Sequence, residues 1–157
     1  MTRNLIQTFL RTPTGRWRAA LSSVAMVALA GCGDGRPDRV PVSGHVLIDG
    51  EPLEHGNIRF HPLDQRAASA KLGPGGKFTL STYAFGDGVV LGEHPVTVNA
   101  YKPVNVQAVQ WMAPKKYCAP TTSGLVVDVQ EPTDAVEIRL SWDGGKPFIE
   151  RSEGGGD

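Results

Sequence analysis

From residue 40 to residue 141 the chain repeats one local pattern. Every second side chain in a short run is apolar, and glycine, proline or Asp-Gly breaks the run. A period of two places alternate side chains on opposite faces of an extended strand. Val40, Val42, Val46 and Ile48 share one face of the first run, with Gly44 interrupting it. Ile58 and Phe60 form the next face, opposite Asn57, Arg59 and His61. Phe78 and Leu80 follow, then Val96, Val98 and Ala100, then Leu125, Val127 and Val129, then Val136, Ile138 and Leu140. A less regular strand is expected near Ala68–Leu72. Asp49-Gly50, the "GPGG" at 73–76 and the "EPTD" at 131–134 read as turns, the last as a hairpin. Pro95 suits a sheet edge or a strand beginning, where a missing donor costs least. No stretch after residue 31 sustains a helical period. Six or seven short strands at this spacing mean an all-β fold, a sandwich or a barrel.

Upstream of that region the chemistry is different. The first eighteen residues carry Arg3, Arg11, Arg16 and Arg18 and no acid, and residues 19–30, "AALSSVAMVALA", carry no charge. A basic head, a short apolar run and small residues at its exit describe a helical secretory signal peptide over residues 1–31. Crossing a bilayer takes about 20 apolar residues, and this run falls short. Trp17 separates Arg16 from Arg18, so there is no twin-arginine pair, and export in the unfolded state is expected.

The run ends in Leu29-Ala30-Gly31-Cys32. These four residues resemble the lipobox of bacterial lipoproteins. The resemblance implies a diacylglyceryl group on the Cys32 sulfur, cleavage before Cys32 and acylation of the new amino group. The implied anchor is the membrane on the exported side of the cell envelope, since two or more acyl chains hold a protein stably where one does not. A thioether at Cys32 leaves Cys118 without an intramolecular partner. A Cys32–Cys118 disulfide is the alternative that an exported chain permits. Residues 32–39 then read as the lipidated cysteine and a flexible tether, residues 40–142 as the sandwich. The glycine-rich, acidic tail at 143–157 is expected to be disordered, so removal of residues 146–157 is expected to leave stability unchanged.

Without residues 1–31 four arginines leave, so the 16 basic residues fall to 12 against 16 acidic ones and the formal charge becomes −4. That balance argues against a nucleic-acid partner, which requires a basic face. The remaining chain of about 125 residues suits one domain with one core.

The order of the pieces gives a second resemblance. "VSGHVLIDGEPLEHGNIRFHP" is similar to the first hairpin of the carboxypeptidase-regulatory-like domain, a transthyretin-like β-sandwich. In that family a V-x-G-x-V strand leads through D-G-x-P-L into an apolar strand. "GGKFTLST" resembles its G-x-F-x-L strand and "LGEHPVTVNA" its P-G-x-Y-x-V-x-V strand. "APKKYCAPTTSGLVVDVQ" is similar to a segment of small bacterial lipoproteins that carry the domain. The matches span residues 40–141. They depart at "LGPGG", where the family often has an acidic turn, and at His94-Pro95, where it usually has an aromatic. The resemblance implies a single antiparallel, transthyretin-like or Ig-like sandwich of about seven strands. It also implies a non-catalytic structural, adhesion or assembly module, with an envelope protein recruited at an exposed sheet edge.

Chemistry-bearing motifs are sparse. There is no G-x-S-x-G, H-E-x-x-H, C-x-x-C or phosphate loop. No cofactor is expected. His45 and His61 sit on strands that neighbour each other if the sheet orders them so, with His55 in the loop between, but no close ligand spacing supports a metal. Asp128, Glu131, Asp134 and Glu137 recur every third residue across strand, turn and strand, without a calcium-loop pattern. Asp87 in "FGDGVV" reads as a turn residue. Cys118 has no neighbouring base and reads as an inert thiol. Residues 102–124 are the longest stretch without a period. If the domain holds a sugar or a peptide, this loop is the expected place, with Tyr101, Trp111 and Tyr117 as contacts.

Overall fold

In a computed structural model that describes residues 35–151, the chain enters its first strand by turning glycine to use. The expected signal peptide, the expected lipobox residues Leu29, Ala30 and Gly31, and Cys32 lie outside the described residues. β1 (Val42–Ile48) carries partners on both edges. On one edge it runs parallel to β10 (Thr133–Leu140), with Gly44 opposite Val136 and Val46 opposite Ile138. A Cβ at Gly44 would stand 1.9 Å from the Val136 carbonyl oxygen, so no other residue permits this approach. The register shifts between Val42 and Gly44, where the strand bulges. On the other edge β1 meets β5 (Lys77–Thr79) and then β2 (Glu51–Pro52), both antiparallel. Asp49 and Gly50, at φ 47° and 88°, make the turn from β1 into β2.

A second sheet has the order β4-β3-β6-β9 and is antiparallel throughout. It comprises β3 (Asn57–Phe60), β4 (Ala68–Lys71), β6 (Gly92–Asn99) and β9 (Leu125–Val129). The alternation read from the sequence is the alternation of burial: Ile58, Phe60, Val96 and Val98 are fully buried, and Asn57 and Arg59 face outward. The first sheet answers with Val42, Val46, Phe78, Leu80, Ile138 and Leu140, all in the same core. Phe60 and Phe78 meet across the two layers, ring centroids 6.3 Å apart. The expected all-β, sandwich-like fold is what the chain forms.

Four details differ from the sequence reading. The expected antiparallel sandwich contains one parallel ladder, β1 with β10. The "EPTD" segment is no hairpin: β9 pairs with β6 and β10 with β1, so residues 130–132 cross from one sheet to the other. Pro95 is the fourth residue of β6, an interior strand, yet it sits where β3 ends. Its carbonyl accepts from the His61 N–H at 2.9 Å, and its missing donor falls beyond the ladder. Finally, there are more than seven strands. Past the buried Ala100 the chain forms β7 (Tyr101–Asn105) and β8 (Ala108–Trp111), and β8 pairs on its far side with β11 (Phe148–Arg151). The third sheet, β7-β8-β11, therefore takes in residues expected to be loop and residues 148–151 of the expected disordered tail.

Phe78, 4% exposed, belongs to the contact between the layers. Phe78→Ala is expected to cost about 3–5 kcal/mol, measured by urea denaturation. A near-neutral variant would place β5 outside the core.

Candidate functional site

Three places gather polar or exposed apolar groups. The first is the third sheet. Tyr101 and Trp111 lie opposite each other on β7 and β8, ring centroids 5.5 Å apart. Phe148 of β11 lies opposite Trp111 and stacks on it at 6.4 Å, and Trp142 meets the Phe148 edge at 6.4 Å. Trp111 Nε1 donates to Glu150 at 2.8 Å, and the same carboxylate pairs with Lys115, whose ammonium lies 5.1 Å from the Trp111 ring. The rings thus satisfy one another. Tyr117, grouped with Tyr101 and Trp111 in the sequence reading, is not with them. It is 6% exposed, packs in the main core and holds Ser141, whose N–H it accepts at 3.0 Å. An aromatic next to a 3-10 turn and a buried Ala113 is drawn inward by its apolar body, and its hydroxyl finds a backbone partner there. Of the three expected ligand contacts only Tyr101 and Trp111 come together. Phe148 and Glu150, which complete the cluster, carried no sequence signal beyond an apolar pair inside a polar tail.

The second place holds the histidines. His45 is on β1, where its Nε2 meets Glu137 Oε2 at 2.9 Å. His61 follows β3 in the other sheet and bonds to Thr97 Oγ1 at 2.9 Å. The expected neighbourhood of His45 and His61 does not form, because β1 and β3 belong to different layers. Among the described residues no three His, Cys, Asp or Glu side chains converge. His94 is 1% exposed, beside Phe60. Its Nε2 bonds to the Val90 carbonyl at 2.8 Å and must be the protonated nitrogen, which leaves Nδ1 buried without a partner. Burial lowers its pKa, and the Val90 bond and Asp128 only partly oppose that. Cys118 is half-buried, with Sγ 3.8 Å from the Val98 carbonyl; burial raises its pKa and Lys115 opposes this. A raised thiol pKa suits the inert role.

The third place is the open side of the sandwich. β9 closes the second sheet and β10 closes the first, and among the described residues neither has a strand partner beyond its single ladder. They lie beside each other across a cleft of about 280 Å³, lined by Val127, Asp128, Val129, Glu131, Thr133 and Val136. Val126 on β9 is 62% exposed. An edge strand with unpaired backbone groups and exposed valine is a template for another strand. Of the four acids that recur every third residue, Asp128 and Glu131 line this cleft, whereas Glu137 is held by His45 and Arg139.

Two outcomes are expected from these contacts. Deleting residues 146–157 removes β11 and the Phe148–Trp111 stack, so it is expected to cost about 1–2 kcal/mol and to shift Trp fluorescence to the red. An unchanged melt would mean that β11 adds nothing. For His94, the lowered pKa means that the unfolded chain binds the proton more readily than the folded one. Its contribution is present above the ordinary value of 6.5 and lost as pH falls below it. His94→Leu is therefore expected to shrink the drop in Tm between neutral pH and pH about 5, leaving the part due to His61, which burial and Arg59 also lower. An undiminished drop would assign acid sensitivity elsewhere. Compared with protein-family models, with curated proteins and with solved structures, the chain matches none.

Proposed function

We propose that the chain is an exported lipoprotein. Residues 1–31 are its signal peptide, Cys32 carries the acyl anchor, and the carboxypeptidase-regulatory-like sandwich is a non-catalytic structural or protein-interaction module. The reading rests on the signal-like run ending in Leu29-Ala30-Gly31-Cys32 and on the order of the strand motifs. Seven residues separate Cys32 from the sandwich, residues 33–39. They span at most about 25 Å fully extended, so an anchor at Cys32 keeps the N-terminal end of the domain beside the bilayer. The observation that carries the interaction role is the β9 edge, with Val126 62% exposed. A partner's strand added there continues the second sheet, and Asp128 and Glu131 beside it favour a strand flanked by lysine or arginine. The other reading, a sugar or peptide held on residues 102–124, has Tyr101 and Trp111 in its favour, but Phe148 stacks on Trp111 and Tyr101 leans against it.

The test has two arms. Intact mass of the membrane-extracted protein, beside Cys32→Ala, is expected to give an N-terminus at Cys32 with acyl mass that the variant lacks. A chain two hydrogens lighter than the reduced form, without acyl mass, would mean a Cys32–Cys118 disulfide and end the anchored reading. A photo-crosslinker at Val126 is expected to capture an envelope neighbour that the same crosslinker at Gln107, on the far hairpin, does not. Equal capture from both positions would remove β9 as the docking edge.

A further inference from the structure

The outer face of β3 and β4 carries Asn57, Arg59, Ser69 and Lys71, since Asn57 pairs with Lys71 and Arg59 with Ser69. Ser69 then joins the two sheets. Its N–H donates to the Ser81 carbonyl at 2.9 Å, and the Ser81 N–H donates back at 3.0 Å. Because residues alternate along β5 and its continuation, with Phe78 and Leu80 buried, the same outer face runs on through Lys77, Thr79 and Ser81. The result is an open groove of about 560 Å³ across the seam of the two sheets.

Its charge is one-sided. Arg59, Lys71 and Lys77 line it and no carboxylate does. Among the described residues none of these three takes part in an ion pair, although the chain after residue 31 is net acidic. Between the cations stand neutral hydrogen-bonding groups: Asn57, Ser69, Thr79 and Ser81. At one end stands Phe85, 94% exposed. The loop that presents it is fixed. Asp87 accepts the N–H groups of Thr82 at 2.7 Å, Tyr83 at 3.0 Å and Ala84 at 3.1 Å, and Arg39 Nε lies 3.1 Å from the same carboxylate as an ion pair off the hydrogen-bond line. Burial would raise the Asp87 pKa, but these N–H groups and Arg39 outweigh it and hold the carboxylate ionised. Gly86 N–H donates to Ser81 Oγ at 2.9 Å, tying the loop to the groove. A large apolar ring is kept in water by a loop whose backbone is already ordered, so a ligand that covers the ring need order only its side chain.

We infer that this groove binds an acidic polysaccharide segment. Carboxylates or sulfates along such a chain meet Arg59, Lys71 and Lys77. Its hydroxyls meet the amide and hydroxyl side chains, and the apolar face of a sugar ring lies on Phe85. An acidic peptide fits less well, because the edges of β4 and the segment after β5 already bond to each other at Ser69 and Ser81, leaving no continuous ladder for an added strand.

The test is titration calorimetry on the full chain in detergent, with polygalacturonate, neutral pullulan and poly-L-glutamate. Polygalacturonate is expected to bind, and pullulan is not. The combined Arg59→Gln, Lys71→Gln and Lys77→Gln variant is expected to weaken binding roughly tenfold or more, as is added salt. Phe85→Ala is expected to weaken it separately. All four side chains are on the surface, so Tm should stay put and a lost signal reads as lost contact. Absence of polygalacturonate binding overturns the inference. So does poly-L-glutamate binding that the charge variant abolishes and Phe85→Ala leaves intact, since that makes the groove a peptide site. None of these readings depends on whether Cys32 is acylated.

Discussion

β1 is held from both sides at once, and Gly44 is the point that allows it. β10 comes so near that a methyl group there would overlap the Val136 carbonyl oxygen at 1.9 Å. That proximity fixes the parallel register, which sets Ile138 and Leu140 facing inward beside Val46. Phe78 is placed from the opposite edge of the same strand. The layer that faces Phe60 is therefore assembled around a single backbone contact. Core packing at near-crystalline density transmits any displacement of β1 to both sheets.

How much of this was legible in the sequence depends on the range of the information. β3, β5 and β6 declared themselves because their periods are local and their buried faces are strict. Asp49-Gly50 and Pro74–Gly76 declared themselves because turn chemistry is local too. The parallel β1–β10 ladder did not, because the residues it joins are about ninety positions apart and no local period encodes a register. The separation of β9 from β10 was masked by a turn-like "EPTD" that serves equally well to cross between layers. β7, β8 and β11 were missed for another reason. Their side chains are almost all exposed or half-exposed, with Pro103 inside β7, so burial imposes no alternation on them.

The same division holds for the candidate sites. The proposed lipobox is read from four consecutive residues and needs no fold. Tyr117 was legible as an aromatic but not as a core residue, since composition cannot tell a ring that packs from one that waits for a ligand. Arg59, Lys71 and Lys77 carried no signal at all. They lie on three strands, and only the Asn57–Lys71 register and the Ser69–Ser81 bridge make them neighbours. Read along the chain, they are ordinary surface charges.

The span of the β1–β10 ladder also governs when the fold can exist. The first strand of the sandwich finds its parallel partner only after Thr133–Leu140 has been made, and Trp142 N–H then reaches back to Asp49. Closing so long a loop is slow, and the contacts that reward it come last. A chain that leaves a compartment N-terminus first therefore passes most of its length through before it has a core to resist unthreading. Under the proposed export the domain would mature only on the far side, with the partner strand of Val42 among the last parts to arrive.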